Sequence, residues 1–129
     1  MKRVLMDTNI YSYAMRGDVD VIQQLQQINS IGFSSISIGE LLSGFNYGQQ
    51  EQKNRKELAI FLDSPRVKIY SVDAETAEYY AHILYQLKKA GTPIPTNDIW
   101  IAAIALQQGM PVFTKDKHFQ KIVGLMLMQ

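Results

Sequence analysis

Short apolar segments alternate with segments of helical periodicity along this chain, and this alternation limits the fold more than any other feature. Five apolar runs have the character of buried strands: 3–6, 32–36, 67–72, 110–114 and 125–128. The intervening patterns predict helices at 10–15, 21–28, 74–90 and 99–106, one beginning at Ser37, one ending near Pro65, and a helical turn at 117–121. Strands separated by helices form a parallel sheet with right-handed crossovers. We therefore predict an α/β fold with a central, mostly parallel sheet of about five strands, covered on both faces.

Length and composition narrow the class of protein. The 129 residues suit one domain with a substantial core, and we expect a single domain over 1–129. The net charge of +1 gives no global basic field, so any contact with nucleic acid is a local patch. The absence of cysteine excludes thiol nucleophiles and disulfides and suits a reducing cytoplasm. The first apolar run stops at Asp7, too early for a signal peptide, and we expect no membrane span.

Four acidic residues, Asp7, Glu40, Asp98 and Asp116, each stand where a predicted strand ends or a predicted helix begins. Ligands of an open α/β sheet collect beyond the carboxyl ends of its strands, so these acids are expected to meet at one edge. Two carboxylates about 4 Å apart repel by roughly 4 kcal/mol at an effective dielectric of 20. Protons, basic partners or bound cations must therefore offset the repulsion, and a divalent metal site is the leading interpretation.

The acid-rich, histidine-poor composition of this set suits Mg²⁺ or Mn²⁺ better than zinc. Such ions lower the pKa of water and neutralise charge developing on a phosphate, so no protein nucleophile is needed. Phosphodiester hydrolysis is the chemistry that this pattern favours.

Each acid also has a structural interpretation. Ser37 and Glu40 have the spacing of a capping box, Asp7 and Asp116 suit helix caps, and Asp98 in a first turn suits the helix dipole. Taken singly, each acid leaves both interpretations open. Their occurrence at four similar positions favours a cluster.

Other chemistries fit less well. Gly39 and Gly44 have the spacing of a phosphate-binding loop, but Phe45 stands where that loop requires lysine. An aspartyl phosphatase with Asp7 as nucleophile usually has a second acid two residues later, and Asn9 occupies that position. Both alternatives are therefore disfavoured.

The two histidines and the single tryptophan are interpreted as structural. His82 falls on the surface of the predicted long helix, and His118 suits either a local cap partner of Asp116 or a substrate contact. We favour a structural role for both histidines. Trp100 lies in a largely apolar helix and is interpreted as core.

The segments that carry the four acids, 5–11, 37–41, 97–103 and 114–119, resemble the four conserved blocks of PIN-domain ribonucleases. In size and motif the chain is most similar to the VapC toxins of type II toxin–antitoxin systems. Met6 stands where the family usually has leucine, a conservative replacement. The resemblance covers nearly the whole chain and implies a PIN-like three-layer α/β/α fold.

The resemblance implies an endoribonuclease dependent on Mg²⁺ or Mn²⁺, a toxin that cuts structured RNA of the translation apparatus, either transfer RNA or ribosomal RNA. Asp7 and Asp98 are expected to ligate the metal directly, with Glu40 and Asp116 holding water around it or a second ion. The alternative function is a non-catalytic PIN-like module that binds RNA or protein. A repulsive carboxylate cluster argues against that alternative, because a binding module has no use for it.

Further roles follow from the same resemblance. Asn9 and Thr114 are expected to orient the acids. Three basic residues near the motifs are candidates to hold RNA phosphates or are simply solvated: Arg16, Lys115 and Lys117. The family also implies a homodimer and a small VapB-like antitoxin whose apolar helix lies in a groove on the toxin. The candidate groove residues, which have core packing as an equal alternative, are Leu41, Leu42, Phe45 and Tyr47.

Overall fold

The computed structural model describes residues 3–128 and confirms the α/β class. Its strands are β1 (Arg3–Met6), β2 (Ser30–Ser34), β3 (Val67–Tyr70) and β4 (Val112–Phe113). Its helices are α1 (Thr8–Met15), α2 (Val19–Gln26), α3 (Ser35–Asn46), α4 (Glu51–Leu62), α5 (Ala74–Ala90) and α6 (Thr96–Gln108), followed by a 3₁₀ helix (Lys117–Lys121). No helix within this described part is both long and apolar enough to cross a membrane.

The four strands form one parallel sheet in the order β3-β2-β1-β4. The chain builds β1, β2 and β3 outward in one direction and then returns to place β4 on the other side of β1. Strand order therefore reverses beside β1, and ligands of open α/β sheets bind at such a reversal, beyond the carboxyl ends of the strands.

The predicted fifth strand at 125–128 is reduced to one bridge. Leu127 pairs in parallel with Val112, and the Val112 backbone donates to Met126 and accepts from Met128, each at 2.9 Å. The pairing with 125–128 extends no further because β4, the strand that it joins, is only two residues long. The described chain thus has four strands where about five were predicted.

Helices cover both faces of the sheet, which gives the three-layer arrangement. In β1, Val4 and Met6 point into a core shared with α1, α2, α3 and α4, whereas Leu5 points into a core shared with α5 and α6. All three side chains are fully buried. This alternation is the period of two that a strand imposes on its side chains. A central β1 buried on both faces fixes the position of the residue that follows it, Asp7.

Candidate active site

The carboxyl edge of the sheet brings the four predicted acids together. Asp7 follows β1, Glu40 lies in the second turn of α3, Asp98 lies in the first turn of α6, and Asp116 follows β4. Asp7 interacts electrostatically with Asp98 and Asp116, and Asp98 interacts with Asp116 and Glu40. Four separate segments of the chain thus each contribute one carboxylate to the same cluster.

Asp7 is the most buried of these acids, with 3% of its surface exposed. It occupies the N-cap position of α1, yet its side chain makes no capping hydrogen bond. Thr114 Oγ1 instead donates to Asp7 Oδ2 at 2.8 Å. Burial raises the pKa of Asp7 to about 6; the Thr114 bond opposes this rise, and the charges of Asp98 and Asp116 add to it. A buried carboxylate with a raised pKa marks a place where a positive charge would be favourable.

Glu40 is oriented from two sides. Thr8 Oγ1 donates to Glu40 Oε1 at 2.6 Å, and Asn97 Nδ2 donates to Glu40 Oε2 at 3.2 Å. The capping-box interpretation of Glu40 is wrong, because α3 begins two residues earlier than predicted. Ser34 is its N-cap, and the Ser37 backbone N–H donates to Ser34 Oγ at 3.0 Å. Glu40 is therefore free to face the acidic cluster.

A short chain of hydroxyl groups leads to Glu40. Thr8 Oγ1 lies 2.7 Å from Ser37 Oγ, which in turn lies 3.1 Å from Ser34 Oγ. A carboxylate can only accept, so the single Thr8 hydroxyl proton goes to Glu40 and Ser37 donates to Thr8. Ser34 then donates to Ser37. Both serines are completely buried, so this chain holds Thr8, and through it Glu40, in one orientation.

Asp98 and Asp116 meet at His118. His118 Nδ1 lies 2.9 Å from Asp98 Oδ2 and 3.1 Å from Asp116 Oδ1. The His118 backbone N–H also donates to Asp116 Oδ1 at 2.9 Å, so Asp116 does cap the 3₁₀ helix. Burial raises the pKa of Asp98, the His118 hydrogen bond lowers it, and the charges of Asp116 and Glu40 raise it further.

The two residues expected to orient the acids lie in different environments. Thr114 Oγ1 donates to Asp7 and accepts from the Asp116 backbone N–H at 2.9 Å, so it joins two of the four acids. Asn9 is exposed in the first turn of α1, and its side chain makes no hydrogen bond within residues 3–128. The predicted role of Asn9 in orienting the acids stays a prediction.

We refer to the three exposed basic residues, Arg16, Lys115 and Lys117, as the basic rim. Lys115 Nζ lies 4.8 Å from the centre of the Tyr13 ring and 3.4 Å from Asp18 Oδ2. The Arg16 guanidinium lies 4.9 Å from the same ring. Lys117 is exposed at the start of the 3₁₀ helix. Arg16 and Lys115 are thus held on one aromatic ring, on the α1 side of the loop that follows β4.

The donor set fits a hard divalent cation. Asp98, Asp116 and His118 offer three ligand atoms that all lie within 4.8 Å of one another. Asp7 and Glu40 lie outside this group of three but interact electrostatically with its acids. Sites dominated by carboxylate oxygen select Mg²⁺, Mn²⁺ or Ca²⁺ over softer metals. The described acids are therefore a group able to bind such an ion.

Three contacts at this site were missed by the sequence analysis. His118 was interpreted as structural, but its ring lies between two of the acids; its position two residues after Asp116 was the available signal. Thr8 and Asn97 directly adjoin acids of the cluster, and that adjacency was the signal for them.

Trp100, interpreted as core, is only half-buried and stacks on Tyr80 with ring centroids 3.9 Å apart.

Comparison with known proteins gives the family. The PIN domain model matches residues 4–125. Ribonuclease VapC2 of Rickettsia felis is 31% identical over 128 residues, covering 95% of this chain and 94% of that protein. Ribonuclease VapC1 of Haemophilus influenzae (strain R2866) is 34% identical, covering 94% and 92%. The crystal structure of VapBC2 from Rickettsia felis bound to a promoter DNA fragment contains a chain that matches with a TM-score of 0.88 and 28% identity, covering 99% of this chain and 98% of that one. The chain therefore belongs to the PIN-domain family and, within it, to the VapC ribonucleases.

Proposed function

We propose that this chain is an endoribonuclease that depends on Mg²⁺ or Mn²⁺. The observation that carries the proposal is the convergence of four carboxylates with which no lysine or arginine in the described range 3–128 forms an ion pair. Similarity to the VapC ribonucleases supports RNA as the substrate. A divalent cation at this cluster would lower the pKa of water and offset the charge that develops on the phosphate.

Each acid has a distinct part in this proposal. Asp7 and Asp98 hold the cation directly, because they are the two acids whose pKa burial raises and which therefore gain most from a positive charge. Glu40 and Asp116 hold water around the cation or a second ion; the Asp116 side chain is more exposed than that of Asp98. Thr114 keeps the Asp7 carboxylate in place and links it to the Asp116 backbone.

The exposed basic rim is proposed to position the RNA backbone. Arg16 and Lys115 lie on the Tyr13 ring, and Lys117 begins the 3₁₀ helix that follows Asp116. Charged side chains at such places hold phosphates without reading sequence. The contribution of the rim is therefore expected to fall as salt concentration rises.

The test is cleavage of a single-stranded RNA and of total transfer RNA with Mg²⁺ or Mn²⁺ present. Asp7→Asn and Asp98→Asn should each abolish cleavage while leaving the circular dichroism spectrum unchanged. Asp20→Asn is the matched control, because Asp20 is an exposed residue of α2 outside the cluster, and its side chain accepts a hydrogen bond from Gln24. Normal cleavage by either cluster variant contradicts the proposal. RNA binding by wild type without cleavage at any metal concentration supports the non-catalytic module instead.

We further propose that the whole chain, 1–129, acts as one PIN-like domain in the cytoplasm, as the toxin of a toxin–antitoxin pair. Its target is structured RNA of the translation apparatus, either transfer RNA or ribosomal RNA. Sequencing RNA ends after induced expression identifies the cut site and decides between the two. Expression without cleavage of either RNA class contradicts the toxin assignment.

The antitoxin is proposed to place an apolar helix in the cleft between α1, α3 and α4. Tyr11, Met15 and Phe45 line this cleft, and Met15 is 48% exposed. Of the predicted groove residues, Leu41 is buried and lines the cleft, Leu42 packs partly buried against the core, and Tyr47 is 90% exposed. The VapBC2 structure of the relative supports a partner of this kind.

Coexpression tests this partner. A small protein encoded beside this chain should relieve toxicity and copurify with it, and Met15→Asp should weaken copurification. Val123→Asp is the control, because Val123 is 71% exposed and does not line the cleft. Light scattering of the isolated toxin tests the proposed homodimer, for which a monomer mass is the contrary result.

A further inference from the structure

The ring of His118 lies beside the carboxylates of two acids that are contributed by different elements. Asp98 comes from the start of α6, and Asp116 comes from the loop after β4. The Nδ1 atom of His118 lies within hydrogen-bond distance of a carboxylate oxygen of each, at 2.9 Å and 3.1 Å. Within residues 3–128, no other side chain contacts both carboxylates.

Two contacts fix the backbone at His118. Its own N–H donates to Asp116 Oδ1, and the next residue, Phe119, is fully buried in the core that α6 lines. The ring itself is about 40% exposed, so it is placed by these neighbours and not by burial. The imidazole therefore reaches the carboxylates from an anchored backbone.

We propose that His118 is a positioning residue for the divalent cation: its Nδ1–H donates to Asp98 and its backbone N–H donates to Asp116, so that one residue holds the two carboxylates beside each other. The inference rests on the proposed metal-dependent function. Two carboxylates on separate elements repel, and N–H donors supplied to both by one residue offset that repulsion without adding a ligand. Groups that orient metal-binding carboxylates in this way contribute about 10- to 100-fold to metal affinity.

Two other roles for this ring predict different results. If the imidazole ligated the cation itself, asparagine could replace it through Oδ1 for Mn²⁺, which accepts oxygen ligands, but not for Ni²⁺, which prefers imidazole nitrogen. If the imidazole instead occupied the space of the cation, its removal would tighten cation binding. The three roles are therefore distinguishable by affinity alone.

The experiment is titration of the whole protein with Mn²⁺ and, separately, with Ni²⁺, by isothermal calorimetry at pH 8, with melting curves as the check on folding. His118→Ala should weaken Mn²⁺ binding by about 10- to 100-fold. His118→Asn should remain within about threefold of wild type, because the asparagine Nδ2 can donate from nearly the same place as histidine Nδ1. His118→Gln, which reaches the Nε2 position instead, should be as weak as alanine. His82→Ala, an exposed histidine on α5, should bind as wild type does.

Unchanged affinity in His118→Ala overturns the inference, and so does tighter binding. Loss of Mn²⁺ affinity in His118→Asn equal to that in His118→Ala also overturns it, and a loss of Ni²⁺ affinity in His118→Asn well beyond threefold overturns it in favour of direct ligation. Absence of Mn²⁺ binding by wild type overturns both this inference and the proposed function. Binding by wild type that Asp98→Asn abolishes and that His118→Ala leaves unchanged overturns this inference alone.

Discussion

Replacement of Asp7 by asparagine should stabilise the metal-free protein at neutral pH, the reverse of what most buried substitutions do. Asp7 is almost fully buried, and its pKa is raised from 3.8 to about 6. A raised pKa means that the folded state binds the proton more tightly than the unfolded state. Ionisation of Asp7 therefore lowers the free energy of unfolding. This loss is small below the unfolded pKa and grows as pH rises through the folded pKa.

The magnitude follows from the shift. About two pKa units correspond to about 3 kcal/mol at pH 8, since each unit is worth roughly 1.4 kcal/mol. Near pH 4, where folded Asp7 is protonated, the difference should shrink below about 1 kcal/mol. Asparagine avoids the cost because it is neutral, and its Oδ1 can still accept the Thr114 hydrogen bond that Asp7 Oδ2 accepts.

Urea unfolding in the presence of chelator, at a series of pH values from 4 to 8, measures this difference. The Asp7→Asn advantage should grow from pH 4 to pH 7, and Mg²⁺ should stabilise wild type while leaving the variant unchanged. Asp20→Asn serves as the control, because Asp20 is an exposed acid outside the cluster. An Asp7→Asn protein that is less stable than wild type at pH 8 in chelator refutes the reasoning. A difference that does not vary with pH refutes it equally.

Three further substitutions test the surroundings of the cluster. Thr8→Val removes the donor to Glu40 and should reduce RNA cleavage by about 10- to 100-fold, whereas Thr8→Ser should retain most activity in the same assay. Gly32→Ala places a Cβ 2.8 Å from the Tyr70 ring and should lower the free energy of unfolding by about 1 to 3 kcal/mol, whereas Gly39→Ala meets nothing within 4 Å and should not destabilise. Asp116→Ala loses a cap but relieves repulsion, so the melting temperature in chelator should change little while the rise caused by Mg²⁺ is largely lost. A full cap penalty of about 2 kcal/mol with an unchanged Mg²⁺ response contradicts the cluster role of Asp116.

Sequence pattern predicted the elements whose ends carry their own chemical signals. Helix α5 spans Ala74–Ala90 as predicted, because Asp73 forms a capping box with Thr76 and Gly91 adopts the left-handed conformation that ends the helix. The start of α3 was placed two residues late because Ser34 and Ser37 are both residue types that cap helices. Only the tertiary structure determines which of the two does so.

Sequence pattern could not predict the elements and contacts that depend on a partner distant in the chain. The segment around Leu127 has the composition of a strand, but its pairing is limited by how much backbone Val112 and its neighbour present. The ring of His118 likewise acquires its position from α6, which supplies Asp98 20 residues earlier in the chain. The local sequence shows which residue stands at each of these positions, but it does not show the tertiary neighbour that gives that residue its role.

The cap and cluster interpretations of the acids proved not to exclude one another. At the carboxyl edge of a parallel sheet, helices begin where strands have just ended, so positions that favour a capping acid are the same positions that face the edge crevice. Asp116 does both, since it caps the 3₁₀ helix and interacts with Asp7 and Asp98. Asp7 occupies a cap position without capping, and its side chain is bound by Thr114 from β4's end of the sheet instead. The partner of each carboxylate, and not its place at a helix start, is therefore what identifies it as part of the site.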